Sequence, residues 1–244
     1  MPEGVLRALI WDVDGTVAET ERDGHRVAFN RAFAEAGLPW TWDVAEYAEL
    51  LEVTGGRERI LAYLQRRGDA PAGAVEREAL ARQLHPRKNA FYAELVAQGG
   101  ITARPGVRRL MDECRAQGMA LAIATTTSRV NVDALFASLL GGDWQTWFAA
   151  VVCAEDAPDK KPHPQAYRLA LQRVGVLPHE AFALEDSPNG LMAARAAGIA
   201  CGVTRSAYFA DAQFDGAAWV RDDLDAPPPV TLAMIGSALS GRGG

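Results

Sequence analysis

Five short apolar runs punctuate the chain, at residues 6–11, 119–125, 149–153, 181–184 and 200–204. Each is nearly unbroken rather than alternating, the pattern of strands buried on both faces of a parallel sheet. Helical patterns with clear boundary residues lie between the later runs. Pro105 and Gly106 open one helix that Gly118 closes. Pro164 opens a second that ends at Gly175, and Pro188 follows Ser187 at the start of a third that stops before Gly198. Strands alternating with helices predict an α/β fold, a Rossmann-like doubly wound parallel sheet with ligands at the carboxyl ends of its strands.

The first crossover is anomalous. About 90 residues separate the turn at Asp12 from Gly106, far more than one connecting helix requires. They carry helical patterns: Phe29 and Phe33 before Gly37, a capping-box-like start at Asp43 and Glu46, and a stripe of Ile60, Leu61 and Leu64 ending at Gly68. Pro86 is expected to open a last helix through Phe91 and Leu95, with Trp40 and Trp42 packing inside. The expectation is a helical cap domain over residues 20–97, able to act as a lid and inserted into a core of residues 1–19 and 98–244. The tail after Asp225, with Pro227, Pro228, Pro229 and a glycine-rich end, reads as a surface extension.

Composition removes several classes of function. With 49% hydrophobic and 23% charged residues over 244 positions, the chain has the balance of an ordinary soluble globular protein. No apolar stretch approaches a membrane span. Met1-Pro2-Glu3-Gly4 leads straight into the first strand, which leaves no room for a leader peptide. Cys114, Cys153 and Cys201 are odd in number and widely spaced, fitting neither a disulfide framework nor a zinc site, so a cytoplasmic setting is expected. The net charge of −6 argues against nucleic acid as a partner, and the chain is expected to be a monomer. A phosphorylated ligand would then need cations gathered locally.

The chemistry-bearing residues stand at strand ends. The first run ends in Asp12-Val13-Asp14-Gly15-Thr16, where two carboxylates two apart share a face and Gly15 permits a sharp turn. Neighbouring carboxylates repel unless a cation or a shared proton compensates, which points to metal-assisted chemistry. An EF-hand is excluded because Val17 stands at the sixth position, where that loop needs glycine. The second run leads into Thr125-Thr126-Thr127-Ser128, the third to Lys160-Lys161-Pro162, and the fourth to Glu185-Asp186-Ser187-Pro188-Asn189-Gly190. Taken singly, these have plain readings: a polar loop, a solvated lysine pair, and Ser187 and Asn189 as caps of the following helix.

Together, in this order and spacing, the four motifs resemble the haloacid dehalogenase superfamily of phosphotransferases over residues 5–16 and 103–205, and the helical insert is similar to that superfamily's cap. The resemblance implies that Asp12 attacks phosphorus to form an aspartyl-phosphate. Asp14 then serves as general acid and base, Thr125 hydrogen-bonds the phosphoryl group, and Lys161 neutralises charge on it. It also implies a Mg²⁺ cofactor held by Asp12, the backbone carbonyl of Asp14, and Asp186, with Glu185 in support. The presence of Asp14 implies phosphate transfer rather than dehalogenation.

Residues 19–26, Thr54-Gly55-Gly56-Arg57-Glu58-Arg59, residues 124–128 and residues 184–191 further resemble the CbbY-type branch, xylulose-1,5-bisphosphate phosphatases of the Calvin cycle. That likeness implies hydrolysis of an inhibitory sugar bisphosphate, xylulose 1,5-bisphosphate, to xylulose 5-phosphate. Glu21, His25, Tyr47, Gly55, Gly56, Arg57 and Lys88 from the cap, and Thr126, Thr127, Ser128 and Asn189 from the core, would then bind substrate. Arg57 stands where that branch is expected to carry lysine. Independently of the likeness, Arg57 and Lys88 lie in the insert, where chemistry at the first phosphate does not need them, so they are candidates for a second phosphate. The alternatives are a phosphohexomutase similar to β-phosphoglucomutase and a catalytically silent sugar-phosphate sensor.

Overall fold

The computed structural model describes residues 5–240. The expected absence of a leader at residues 1–4 and the glycine-rich end at 241–244 lie outside the described residues. The five apolar runs form strands β1 (Ala8–Trp11), β2 (Ala120–Ala124), β3 (Ala150–Val152), β4 (Ala181–Glu185) and β5 (Ala200–Thr204), and a sixth, β6 (Trp219–Arg221), joins them. All neighbours are parallel, in the order β3-β2-β1-β4-β5-β6, with β1 paired to both β2 and β4. The runs are continuously apolar because both faces are covered. Leu9 and Trp11 join Leu121, Ile123, Phe182 and Leu184 on one side, while Ala8 and Ile10 join Ala122, Ala124 and Ala183 on the other.

Between β1 and β2 a π-helical turn (Glu21–His25) leads into α1 (Arg26–Glu35), α2 (Val44–Leu50), α3 (Gly56–Arg66) and α4 (Ala74–Ala97). Their shared cluster is aromatic: Phe29, Phe33, Trp40, Trp42, Tyr47 and Tyr63 are all buried in it. Asp43 caps α2, its Oδ1 accepting from the Glu46 N–H at 2.8 Å. The remaining helices are α5 (Val107–Ala116), α6 (Arg129–Leu140), α7 (Gln165–Val174), α8 (Pro188–Ala196) and α9 (Leu232–Ser240). Residues of α5, α6 and α9 cover the Leu9 face, and residues of α7 and α8 cover the Ala8 face. The two chain segments linking sheet to insert meet at an Ala18–Ala103 antiparallel bridge. Beside it the Arg104 guanidinium donates to the carbonyls of Gly15, Thr204 (3.1 Å) and Asp222 (2.6 Å).

Three expectations need correction. Pro86 does not open a helix; it sits inside α4. Ala81 and Leu84 before it and Lys88, Tyr92 and Val96 after it are buried at successive three- and four-residue spacings, and that burial outweighs a proline penalty of about 3 kcal/mol. The strand β6 is absent from the sequence reading because only three half-buried residues form it, with no apolar run to announce it. The tail after Asp225 is not a mere surface extension: Val230, Leu232 and Ile235 are buried in the main core beside α5. Ile235→Ala should therefore destabilise the protein by about 2–5 kcal/mol in urea unfolding, whereas a change near zero would show that α9 does not pack there.

Candidate active site

Strand β1 ends with the Asp12 N–H donating to the Leu184 carbonyl at 3.0 Å, which fixes the nucleophile candidate in the sheet's own ladder. Both oxygens of the Asp12 carboxylate are engaged. Oδ1 accepts from Lys161 Nζ at 2.6 Å and Oδ2 from Thr16 Oγ1 at 3.0 Å. Lys161 also donates to Glu185 Oε1 at 2.6 Å, an oxygen that takes a second bond from the Tyr167 hydroxyl at 2.5 Å. Every member of this group is buried: Asp12, Lys161, Glu185 and Asp186. Two glycines make room for it. A Cβ on Gly15, whose φ is +84°, would lie 2.0 Å from Asp186 Oδ2, and one on Gly190 would lie 1.9 Å from Glu185 Oε2.

Burial pushes the Asp12 carboxyl up to about 7, Glu185 pushes it further the same way, and Lys161 pulls against both. Burial likewise raises Asp186 well above the ordinary carboxylate range, with Asp12 and Glu185 adding to the shift. One lysine therefore does not compensate three buried acids. Oxygens of Asp12, Glu185 and Asp186 lie within 4.8 Å of one another, so the set offers a hard, all-oxygen site for a cation. Ligands and repulsion agree: a divalent ion fits here.

Asp14 faces differently, although it is two residues away on the same turn. Its Oδ1 accepts from Thr20 Oγ1 at 2.5 Å and meets His25 Nε2 at 3.0 Å, and its Oδ2 accepts from Thr127 Oγ1. Burial raises its carboxyl, but His25 beside it and hydrogen bonds from His25, Thr127 and Thr20 prevail and hold it below the ordinary value. The chain continues outward from His25 Nδ1 to Lys88 Nζ at 2.8 Å. Burial lowers the Lys88 ammonium to about 8. Since an ammonium only donates, Nδ1 accepts and Nε2 carries the proton offered to Asp14.

A cavity opens over these strand ends. From the sheet side it is lined by Asp12, Asp14, Thr125, Thr126, Thr127, Ser128, Lys161, Asp186 and Asn189, and from the insert by Glu21, His25, Gly55, Gly56 and Lys88. Three expected residues, Tyr47, Arg57 and Glu185, do not line it. Tyr47 stands behind the wall, donating to Glu21 Oε2 at 2.5 Å and accepting from Arg59 at 2.7 Å. Arg57 is half exposed outside the lining and pairs with Glu78 at 3.3 Å and Glu58 at 3.7 Å. The cavity's arginine is Arg59, 5% exposed and 3.5 Å from Glu21. Two positions along a helix turn a side chain to the opposite side, so Arg57 and Arg59 cannot share a face, and α3 buries the second. Glu185 lies beneath the floor, held by Lys161 and Tyr167.

The sequence reading also passed over His85 and Asn131, which line the cavity, and Tyr167, which steadies Glu185. His85 is lowered to about 4 by burial and by Lys88, so it meets the cavity as a neutral imidazole at neutral pH. Nothing in the pattern marks these residues out. His85 shares α4 with Lys88 three residues on, which was the one available signal.

Comparison with known proteins fits this geometry. Residues 6–198 match the family model of the haloacid dehalogenase-like hydrolases. The chain is 45% identical to the plasmid-encoded CbbY protein of Cupriavidus necator over 96% of this chain and 92% of that protein. It is 42% identical to CbbY of Rhodobacter capsulatus over 91% and 95%. Among solved structures, CbbY from Rhodobacter sphaeroides in complex with phosphate superposes with a TM-score of 0.86 at 40% identity, covering 93% of this chain and 98% of that one. An aspartate-to-asparagine variant of the same protein, in complex with xylulose 1,5-bisphosphate, gives 0.85 with the same identity and coverage. On the family model, the identity and the coverage, the chain belongs to the haloacid dehalogenase-like hydrolases and, within them, to the CbbY family.

Proposed function

We propose that this chain is a sugar-bisphosphate phosphatase that hydrolyses xylulose 1,5-bisphosphate to xylulose 5-phosphate through a phosphoryl group carried on Asp12. The observation that carries the reading is the cavity itself. It is walled on one side by Asp12, Asp14 and Lys161 and on the other by Lys88 and Arg59, cations that chemistry at the first phosphate does not need. A relative with 40% identity, solved with that bisphosphate, supports the same choice.

In the proposed reaction an Asp12 carboxylate oxygen attacks phosphorus, and the sugar oxygen leaves with a proton from Asp14. His25 and the hydrogen bonds from Thr127 and Thr20 hold Asp14 ionised, and a dianionic phosphate arriving beside it raises its pKa and lets it take up that proton. After the sugar departs, the same carboxylate draws the proton from the water that opens the aspartyl-phosphate. Lys161 steadies charge on Asp12 and on the phosphoryl oxygens, and the Thr125 hydroxyl, which already accepts from the Thr127 N–H at 3.2 Å, lies within the same loop to hold one of them. Asp12, Asp186 and the backbone carbonyl of Asp14, with Glu185 behind them, would hold Mg²⁺, which when bound neutralises charge developing on the phosphoryl group. Glu21, His25, Gly55, Gly56, Lys88, Thr126, Thr127, Ser128 and Asn189 surround the sugar in this reading, with Tyr47 acting through Glu21 and Arg59. Residues 20–97 work as a cap that excludes bulk water when closed.

No helix among the described residues is long and apolar enough to cross a membrane. The reading places a monomeric enzyme in the cytoplasm, a setting in which the free, buried thiols of Cys114, Cys153 and Cys201 are ordinary.

Three results are expected. Incubated with xylulose 1,5-bisphosphate and no acceptor sugar, the protein should release phosphate stoichiometrically, and Asp12→Asn should lose turnover on the order of 10³-fold or more while still binding the sugar. A requirement for a monophosphate acceptor would instead mark a mutase, and retained turnover would remove Asp12 from its role. Secondly, Arg59→Lys should lower kcat/KM for the bisphosphate roughly tenfold or more, as loss of a charge-assisted contact of about 1.5–3 kcal/mol requires, while Arg57→Gln changes it by about twofold at most. The reverse ranking would return the second phosphate to Arg57. Thirdly, Mg²⁺ should raise the melting temperature of the wild-type chain but not that of Asp186→Asn; equal shifts would put the ion elsewhere.

A further inference from the structure

We propose that Asn131 is a specificity-determining residue whose side-chain oxygen accepts a hydrogen bond from a hydroxyl of the substrate's carbon chain, and that Asn89 of the insert holds it in position to do so. This rests on the sugar-phosphate reading and adds a residue to it.

Asn131 lies in the first turn of α6, on the sheet side of the cavity, and is 2% exposed. Its Nδ2 donates to Asn89 Oδ1 of α4 at 3.0 Å, so one amide bridges core and insert directly. Its Oδ1 is shielded from solvent and has no partner among the described residues. Buried polar atoms in folded proteins are nearly always paired, and an orphan calls for a specific explanation. The indole nitrogens of Trp11 and Trp219 also lack a partner among the described residues, but neither residue lines the cavity. Asn131 does, in company with Asp14, His25, Lys88 and Thr127.

The chemistry of the free atom narrows what it can meet. A carbonyl oxygen only accepts, whereas phosphate oxygens at neutral pH also accept, so a phosphoryl group cannot satisfy it. Lys88, the ammonium of α4, donates to His25 Nδ1 at 2.8 Å and does not reach this oxygen. A hydroxyl donates, and a phosphorylated sugar brings several into this space. A site that pairs a substrate hydroxyl discriminates strongly against analogues lacking it, because the buried protein atom is then left unmet. Asn89 follows Lys88 directly in α4, so the insert helix that carries a cation to the ligand also fixes the amide that reads its hydroxyl. Asn89 touches no substrate in this account and is a positioning residue.

The test compares xylulose 1,5-bisphosphate with pentane-1,5-diol bisphosphate, which keeps both phosphates and lacks every hydroxyl. The readout is the ratio of kcat/KM for the first to that for the second. Asn131→Ala should lower this ratio at least tenfold, Asn131→Ser should do the same if the alanine variant folds poorly, and Asn89→Ala should lower it several-fold with the amide still present. A ratio within twofold of wild type in both Asn131 variants overturns the proposal, whether both substrates fall together through lost packing or neither changes. The substrate reading fails separately, and visibly, in the wild-type chain: if a different polyol phosphate is preferred, the same ratio on that ester and its deoxygenated counterpart decides the role of Asn131. A wild-type chain preferring no hydroxylated ester to its deoxygenated counterpart would overturn both.

Discussion

The bond pair from Lys161 to Asp12 and Glu185, each at 2.6 Å, is the interaction on which the rest of the site depends. It brings one positive charge into a floor of three buried acids, with Tyr167 satisfying the remaining demand on Glu185. A buried carboxylate without a partner protonates or is excluded from the fold, so Asp12 and Glu185 depend on the lysine that meets both. The lysine alone is insufficient, as the upward shifts of Asp12 and Asp186 record. That residual repulsion makes the floor receptive to a divalent cation and a phosphate together.

The parallel sheet explains how such a cluster arises without a dedicated scaffold. Asp12, Thr125 and Glu185 stand at the ends of three adjacent strands, β1, β2 and β4, whose register aligns Trp11 with Ile123 and Leu184. Strand ends are brought together by pairing alone, and the glycines at 15 and 190 let the carboxylates crowd closer than side chains would otherwise permit. Lys161 arrives from beyond β3 on a loop, while His25, Lys88 and Arg59 come from the insert. In the proposed reaction the division has chemical meaning: the strand ends hold the groups that would act on phosphorus, and the insert adds cations that would meet the rest of the substrate.

The parts of this arrangement legible in the sequence are those with a local physical signature. Doubly covered strands must be continuously apolar, and acids, hydroxyls and a lysine directly after such runs stand out. Glycine and proline mark the ends of α5, α7 and α8 for conformational reasons that tertiary packing does not override. What the sequence concealed depends on packing. Pro86 is carried through α4 by the burial of residues on both sides of it, and the proline-rich tail hides the anchor residues Val230 and Ile235. Arg57 and Arg59 are chemically equivalent in a string of letters, and only the point at which α3 begins decides which of them turns inward. Asn131 and His85 carry no motif at all; their roles follow from which helix lies opposite them.

The account stands on a phosphoryl group passing through one carboxylate. The most direct measurement is acid quenching of the wild-type protein during turnover of xylulose 1,5-bisphosphate, with borohydride reduction of the trapped acyl phosphate and mapping of the modified peptide by mass. The account predicts reduction at Asp12 alone, dependent on substrate. Label at another residue, or none while phosphate is being released at full rate, would contradict it.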